Sequence, residues 1–300
     1  MTGRVIGIIG GSGLYQIDGM TGVAWRRLKS PFGQPSDALC FGTFGGVDLV
    51  FLPRHGRGHP IPPNEINYRA NIDVLKRAGV TDLISLSAAG SFRENLPPGS
   101  FVLADQFIDR THGRHSSFFG TGCVAHISMA HPVCGRLGGH LAAAAGASAI
   151  KLVRGGTYLV IQGPQFSTLA ESRLYRQWGC DVIGMTNLPE AKLAREAEIC
   201  YATVAMVTDF DCWHPDHDHV SVDMIVATLL ANADKAKALV KAVVPLIAGD
   251  AARCAQGCDH ALDHALITAP AKRDPKLLKK LDAVAGRVLR PAGKGKKRKA

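Results

Sequence analysis

The 300-residue sequence predicts a single α/β domain with a central mixed, largely parallel β-sheet that is flanked by helices. The first observation behind this prediction is that short apolar runs alternate along the chain with segments of helical periodicity. The second is the composition, because 46% hydrophobic and 20% charged residues suffice for one large core. The chain shows no internal repeat, no long linker and no run of about 18 apolar residues. We therefore expect neither a repeat protein nor a membrane span.

The individual elements follow from these patterns. Buried strands are predicted at five apolar runs: Val5 to Ile9, Val47 to Leu52, Leu83 to Leu86, Tyr158 to Ile161 and Cys200 to Val207. Helices are predicted at about Asn67 to Ala78, Pro132 to Ala145, Thr168 to Trp178, Pro189 to Ala197 and Ser221 to Ile247. Gly45-Gly46 lies between two apolar stretches and predicts a hairpin, so we expect some antiparallel pairing in the sheet.

Three segments that follow predicted strands have the composition of oxyanion sites. Gly10-Gly11-Ser12-Gly13 offers backbone N–H groups and one hydroxyl, although it completes neither a dinucleotide fingerprint nor a Walker A loop. Arg54-His55 offers a planar guanidinium fork and a second donor. The small residues from Ser85 to Ser91 permit a ligand to approach closely. Each segment alone also fits an ordinary turn, and that alternative stays open.

Two carboxylates, Asp209 and Asp211, end the last predicted strand. Alternation along an extended strand would send both to the same side, where paired acceptors suit the edge of a nitrogenous ring. Sharing one site should raise the pKa of one of them and leave a protonated acid at neutral pH. A helix N-cap or a pair of loop carboxylates is the alternative interpretation of the same residues.

Six motifs follow one another along the chain: Gly10-Gly11-Ser12-Gly13, Arg54-His55-Gly56-Arg57-Gly58-His59, Asn67-Tyr68-Arg69-Ala70-Asn71, Gly163-Pro164-Gln165-Phe166, Met185-Thr186-Asn187-Leu188-Pro189-Glu190 and Thr208-Asp209-Phe210-Asp211-Cys212-Trp213. In this order they resemble the purine nucleoside phosphorylase family, most closely its branch that acts on 5′-methylthioadenosine. The resemblance runs from about Val5 to about Ala248. Family members often have threonine where this chain has Ser12 and Ser87, a change that keeps the hydroxyl.

The resemblance implies phosphorolysis of 5′-methylthioadenosine to adenine and 5-methylthioribose 1-phosphate, with phosphate as co-substrate and with no cofactor or metal. It assigns phosphate binding to Ser12, Arg54, His55, Ser87, Ala88 and Thr186. Asp209 would donate a proton to purine N7, and Asp211 would accept from the exocyclic amine. The remaining substrate contacts that it implies are Met185 at the thioribose, Phe166 along the base and sugar, and Ser167, Phe210, Val222 and Ile225 around the substrate.

An oligomer follows from the same resemblance. His126 matches a histidine that the family lends to the active site of a neighbouring subunit, which implies a homotrimer. Val222 and Ile225 would line the pocket of the 5′ substituent, where apolar side chains favour a methylthio group over a hydroxyl. Without the resemblance, His126 would be interpreted as an ordinary core or surface residue and the apolar pair as helix core.

Two rival functions remain open at this point. A phosphorylase for methylthioinosine or 6-oxopurine nucleosides would share the motifs, but a 6-oxo base needs a different partner at N7, commonly an asparagine in place of Asp209. The other rival is a nucleic-acid-binding protein that uses its basic tail. Residues 1–270 carry 23 Lys+Arg and 23 Asp+Glu, so they have no net charge. Residues 271–300 carry 12 Lys+Arg and 2 Asp+Glu, so the whole net charge of +10 lies in this C-terminal segment. We expect a phosphorylase domain over 1–270 and a disordered basic tail over 271–300.

The eight cysteines predict a reducing compartment and no metal. They are scattered along a chain in which we find no secretion signal, so we expect reduced thiols and a cytoplasmic protein. Cys254, Cys258, His260 and His264 suggest zinc by proximity, but on a helix the two pairs would point to opposite faces. The His- and Asp-rich stretch from His214 to His219 lies on a predicted loop, where we also expect no functional metal.

Overall fold

A computed structural model of the protein describes residues 3–11, 17–215 and 222–289. In this part of the chain eleven strands form one sheet, with helices packed against it, and the predicted architecture is confirmed. The strands are β1 Val5–Gly10, β2 Thr21–Arg26, β3 Leu39–Phe44, β4 Val47–Pro53, β5 Asp82–Ser91, β6 Phe101–Ala104, β7 Gln106–Arg110, β8 Leu152–Arg154, β9 Thr157–Ile161, β10 Val182–Gly184 and β11 Cys200–Asp209. The helices are α1 Tyr68–Arg77, α2 Gly135–Ala147, α3 Leu169–Gln177, α4 Asn187–Glu196, α5 Val222–Gly249, α6 Pro275–Lys280 and α7 Gly286–Leu289.

The sheet is mixed, as the hairpin signal predicted. Strands β3 and β4 pair antiparallel around Gly45-Gly46, and β1 pairs parallel with both β4 and β5. The long strand β5 also pairs parallel with β11 and, near its end, antiparallel with β10. Every long predicted strand is present. The unpredicted strands β6, β8 and β10 have four residues or fewer, while β2 and β7 are largely exposed, so none of them gives a clear apolar run.

The parallel strands determine where a site can form. Strands β1, β4, β5 and β11 run in one direction, so their carboxyl ends meet at one edge of the sheet. Strand β10 approaches from the opposite direction, and Ile183 pairs with Gly90 of β5. The residues that follow β10 therefore reach the middle of the same edge.

The C-terminal segment corrects one prediction. Residues 271–289 are not a disordered tail, because α6 and α7 form there and Leu281, Val284 and Ala285 are buried in the main core. Arg77 also bonds Asp282 through two nitrogens. The predicted boundary at residue 270 is too early, and the most basic stretch, 290–300, lies outside the described residues. Nowhere in the described chain is there a helix whose length and hydropathy would let it span a bilayer.

A buried carboxyl group on α4 predicts a specific dependence of stability on pH. Burial raises the pKa of Glu196 to about 7 from an ordinary 4.5, although Ser117 Oγ and the Phe118 N–H both donate to it at 2.7 Å. Because the folded state holds this proton more tightly, the free energy of unfolding should fall as pH rises from about 4.5 to 7. Glu196→Gln should remove this loss, which amounts to about 3 kcal/mol at most.

Urea unfolding between pH 4.5 and 8 measures the effect, with Glu94→Gln, at an exposed carboxyl, as the matched control. The parent and the Glu196→Gln protein should diverge through this window and run parallel above it. Curves that stay parallel throughout would contradict the prediction.

Candidate active site

One end of the candidate site is formed where β1, β4 and β5 end side by side. The Arg54 N–H donates to Gly10 O at 2.9 Å, which joins the end of β4 to the end of β1. Ser87 and Ala88 lie on β5 next to these ends, and β11 pairs along them. The three segments that the sequence suggested as oxyanion sites are thus brought together. Ser12 lies outside the described residues.

Arg54 is buried, and its guanidinium is held by an internal ion pair. Nε and Nη2 donate to the two carboxylate oxygens of Glu190 at 2.8 and 3.1 Å. Nη2 also donates to Ser85 Oγ at 2.6 Å, and Nη1 donates to Leu86 O at 3.0 Å. Arg54 is 1% exposed, so this pair forms the floor of the site. Nη1 carries a second hydrogen for which the described residues provide no acceptor, and a phosphate oxygen could use it.

Ser87 is oriented by residues from two other elements. Its hydroxyl donates to Asn187 Oδ1 at 3.1 Å and lies 3.2 Å from the Tyr158 hydroxyl. Asn187 directly follows Thr186, which is the N-cap residue of α4 and makes no side-chain capping bond to that helix. The Thr186 hydroxyl therefore remains available to a ligand, although the non-helical backbone of Leu188 separates Thr186 from the regular turns of α4.

His55 is a neutral imidazole at physiological pH. Burial lowers its pKa to about 3, and its ring stacks on that of His59 with 4.0 Å between centroids. Nδ1 lies 2.9 Å from Ile61 O, and since a carbonyl only accepts, Nδ1 carries the proton. Nε2 is then the unprotonated nitrogen and can accept a hydrogen bond.

The two aspartates lie at the other end of the site, but not in the way that strand alternation predicted. Strand β11 ends at Asp209 with an irregularity in its pairing, and Asp211 sits in a turn with φ +52°. The Asp211 N–H donates to Asp209 Oδ1 at 2.8 Å, while Thr208 Oγ1 donates to Asp209 Oδ2 at 2.7 Å. The prediction that an extended strand presents both carboxylates is therefore wrong, because a turn positions Asp211.

Burial raises the pKa of both aspartates, whereas the sequence led us to expect a raised pKa for only one of them. Removal from water raises the pKa of Asp209, and the hydrogen bonds from Thr208 and Asp211 oppose this only in part. Burial likewise raises the pKa of Asp211. Gly90 lies opposite Asp209, and a Cβ there would come within 2.8 Å of Asp209 Oδ1. The close approach of the carboxylate to β5 therefore requires a glycine.

The segment before α3 lies against the aspartate turn. Cys212 Sγ donates to Ser167 O at 3.4 Å, and Phe166 next to it is 45% exposed. The Ser167 hydroxyl is shielded from solvent and has no hydrogen-bond partner among the described residues. Phe210 is buried and packs edge-on against Trp213. This arrangement surrounds the carboxylates with apolar surface and leaves one hydroxyl able to bind a polar ligand atom.

Arg114 is a positioning residue that the sequence did not suggest. Its guanidinium donates to Met185 O at 2.7 Å, to Leu188 O at 2.8 Å and to Gln162 O at 2.6 Å. It thereby ties the Met185 loop to the loop that precedes Phe166. Sequence reasoning also missed Glu190 and Asn187 as functional residues, although both lie within the Met185–Glu190 motif. No local signal in the sequence indicates that they contact Arg54 and Ser87.

The described structure does not bring three of the predicted substrate-contact residues, His126, Val222 and Ile225, to the site. His126 is exposed on the irregular segment between β7 and α2, where its N–H donates to Ala265 O at 2.9 Å. The backbone of Val222 begins α5, and Ile225 lies in its first turn, but their side chains lie outside the described structure. The structure therefore places His126 on the surface and leaves the apolar pair as a prediction.

Comparison with known proteins identifies the family to which the chain belongs. A model of the phosphorylase superfamily matches residues 5–245, and the chain belongs to that family. Among curated relatives, S-methyl-5'-thioadenosine phosphorylase of Bradyrhizobium diazoefficiens is 67% identical over 290 residues, covering 97% of this chain and 100% of that protein. The protein of the same name from Rhodospirillum rubrum is 62% identical and covers 95% of this chain and 97% of its own length.

Solved structures give the same result. A methylthioadenosine phosphorylase from an Antarctic soil metagenomic library superposes with a TM-score of 0.89 at 46% identity, covering 95% of this chain and 99% of that one. Methylthioadenosine phosphorylase from Schistosoma mansoni in complex with adenine has a TM-score of 0.79 at 39% identity, covering 85% of this chain and 95% of that one. The fold and the relatives thus define one enzyme family.

Proposed function

We propose that the protein catalyses the phosphorolysis of 5′-methylthioadenosine, which gives adenine and 5-methylthioribose 1-phosphate. The observation that carries the proposal is the buried pair of Asp209 and Asp211 at the carboxyl edge of the sheet. Similarity to relatives of that activity over nearly the whole chain supports it. The enzyme is a pentosyltransferase that serves methionine and purine salvage.

Phosphate binds at the end of the site formed by Arg54, His55, Ser87, Ala88 and Thr186. The Thr186 hydroxyl and one N–H of Arg54 donate to phosphate oxygens, and the Ser87 hydroxyl does so once it turns away from Asn187 Oδ1. His55 differs, because an unprotonated Nε2 can only accept a hydrogen bond from a protonated phosphate oxygen. Ser12 would complete this set. Since Glu190 neutralises Arg54, the phosphate subsite is less positive than an arginine alone would make it.

The reaction exchanges one bond at the anomeric carbon. A phosphate oxygen forms a bond to C1′ as the bond from C1′ to purine N9 breaks, and the bond electrons go to the base. Asp209, whose protonated form burial favours, transfers its proton to N7, and Asp211 accepts from the exocyclic amine. Bound phosphate also balances the positive charge that develops on the sugar. Met185 contacts the thioribose, and Phe166, Ser167 and Phe210 surround the substrate together with Val222 and Ile225.

The nearest alternative is a phosphorylase for methylthioinosine or 6-oxopurine nucleosides. Initial rates with 5′-methylthioadenosine, methylthioinosine and adenosine, each with and without phosphate, separate the two. We expect phosphate-dependent base release that is fastest with 5′-methylthioadenosine. A preference for methylthioinosine would contradict the assignment of the two aspartates to a 6-amino base. Phosphorolysis that survives removal of residues 290–300 would set aside the nucleic-acid alternative as the main function.

We propose further that the enzyme is a homotrimer in which His126 reaches the site of a neighbouring subunit. His126 is exposed and far along the chain from the other site residues, which suits a contact between subunits. His126→Ala should raise the KM for 5′-methylthioadenosine about 5- to 10-fold, the cost of one hydrogen bond, without changing the molecular mass of the assembly. His112→Ala, at an exposed histidine of the same segment, is the matched control.

Mixed oligomers provide a stricter test of this contact. Asp209→Asn and His126→Ala subunits, each impaired alone, should together form some sites with both parental residues. Co-expression should then recover a fraction of sites with the parental KM. A mixture that only averages the two variants would show that His126 acts within its own subunit or not at all.

The remaining assignments are those of an ordinary metabolic enzyme. We infer a cytoplasmic location from eight cysteines that all stay free in the structure, as is usual in a reducing compartment. The reaction as proposed needs no cofactor. The basic stretch 290–300 can make weak, salt-dependent contact with nucleic acid.

A further inference from the structure

Four cysteines from three distant parts of the chain meet in a hydrophobic core that is separate from the main one and lies between the sheet and helices α2 and α5. Cys134, Cys200, Cys254 and Cys258 are between 0% and 4% exposed. Their four sulfur atoms all lie within 4.8 Å of one another, and the sulfurs of Cys134 and Cys254 are 3.5 Å apart. No other group of three or more metal-ligating side chains is found in the described parts of the chain.

The spacing of the sulfurs fits one tetrahedral metal ion. With Zn–S bonds of about 2.3 Å, the thiolates of a four-cysteine zinc site are about 3.8 Å apart, so closing this site moves each sulfur by less than about 1 Å. An iron–sulfur cluster spreads its thiolates over two or more metal atoms and would need wider separations. Two disulfides would explain two pairs but not the convergence of all four sulfurs on one point.

The backbone holds the ligands in place. Cys134 is the N-cap residue of α2, where the Leu137 N–H donates to its sulfur at 3.5 Å and the Cys134 N–H donates to Tyr201 O at 2.8 Å. This second bond anchors Cys134 beside Cys200, the first residue of β11. The N-terminus of a thirteen-residue helix and the N–H bond both favour a thiolate over a thiol.

The other two ligands, Cys254 and Cys258, come from a turn and the start of the short 3₁₀ helix that follows it, not from an α-helix. Gly257, with φ +70°, closes a turn in which its N–H donates to Cys254 O at 2.9 Å. The expectation of no zinc is therefore without its basis, because Cys254, Cys258, His260 and His264 do not lie on one α-helix. His260 hydrogen-bonds to Asp259 instead. Cys134 and Cys200, and not the two histidines, complete the group of four potential ligands.

We propose that Cys134, Cys200, Cys254 and Cys258 bind one structural zinc ion as thiolates. Binding releases four thiol protons and changes no oxidation state. The ion joins the turn after α5 to the starts of α2 and β11. The ten residues of β11, at about 3.3 Å each, put roughly 30 Å between Cys200 and Asp209, so the ion takes no part in the chemistry.

The unmodified protein provides the first test. Protein expressed in zinc-containing medium and purified without chelator or tags should contain about one zinc per chain by elemental analysis, and no stoichiometric iron. After denaturation in EDTA without reductant, all eight cysteines should react with a thiol reagent. Zinc-free protein, two or four missing thiols, or iron in place of zinc would each overturn the proposal.

Variants test which thiols hold the ion. Cys258→Ala should reduce the zinc content to near zero and lower the melting temperature, whereas Cys40→Ala, a buried cysteine of the same core, should retain the zinc. If Cys258→Ala does not fold, Cys254→His is informative because a set of three cysteines and one histidine still binds zinc. Cobalt exchanged into the parent should show the visible bands of a tetrahedral thiolate site, and Cys254→His should shift them. Zinc retained by Cys258→Ala, or cobalt bands that Cys254→His leaves unchanged, would contradict the assignment.

Discussion

Asp209→Asn should lower kcat for 5′-methylthioadenosine by roughly 100- to 10,000-fold, which corresponds to about 3 to 5 kcal/mol of transition-state stabilisation. Burial raises the pKa of this carboxyl group and so favours its protonated form, and the group lies where strand β11 ends at the sheet edge. An asparagine has nearly the same shape and can still hydrogen-bond to Thr208 and Asp211. The loss should therefore fall on kcat, with little change in stability.

The pH profile adds a readout that a structural role would not move. Parental kcat should fall as pH rises through the raised pKa of Asp209, because the acid then loses its proton. This limb should be absent from the Asn variant. Asp73→Asn is the matched control, since burial also raises the pKa of Asp73, which lies on α1 outside the site. Near-parental kcat in Asp209→Asn would remove this residue from the role of acid.

Glu190→Ala should lower the free energy of unfolding by about 3 to 5 kcal/mol. Its carboxylate accepts from Arg54, Ser85 and Tyr201, with distances between 2.7 and 3.1 Å. Both members of the ion pair are at most 2% exposed, so truncation leaves a buried guanidinium without a counter-charge. Urea unfolding measures the loss. Activity should also fall, because Arg54 lies at the proposed phosphate subsite.

Two comparisons make this second prediction specific. Asp234→Ala, which breaks the exposed pair with Lys237, should change stability by no more than about 1 kcal/mol. Combining Glu190→Leu with Arg54→Met should restore part of the lost stability, since no buried charge is then left unpaired. A Glu190→Ala protein within 1 kcal/mol of the parent would mean that water reaches Arg54.

The long elements of the fold could be predicted, while the geometry at their ends could not. Strands β1, β4, β5, β9 and β11 are apolar runs whose burial is visible in the sequence. Strand β10 has three residues and β7 is half exposed, so neither produces a pattern that differs from a loop. The C-terminal helices were hidden by their basic residues, although Leu281 and Val284 provide the apolar contacts that anchor them.

In the site, likewise, several functional residues could be predicted from the sequence, while the residues that hold them in place could not. Residue types indicated Arg54, Ser87 and Asp209, because their chemistry follows from the side chain itself. Their partners depend on long-range pairing: Glu190 is 136 residues from Arg54, and the bond from Ser87 to Asn187 spans 100. Asp211 was placed by strand alternation, which fails where a residue with positive φ turns the chain.

The cysteine cluster illustrates the same limit. Spacing along the chain drew attention to Cys254 and Cys258 and paired them with nearby histidines. The sheet instead brings them to Cys134, which is 120 residues from Cys254 along the chain. A metal site assembled from separate elements leaves no local signature beyond one short pair of ligands.

In the proposed reaction phosphate, and not water, accepts the sugar. Phosphorus NMR of the enzyme with 5′-methylthioadenosine and limiting phosphate distinguishes the two acceptors, with adenine counted in the same sample. We predict one new sugar 1-phosphate signal for each adenine released, with loss of the phosphate signal in equal amount. Adenine that appears without phosphate, together with free methylthioribose, would show a hydrolase and contradict the account.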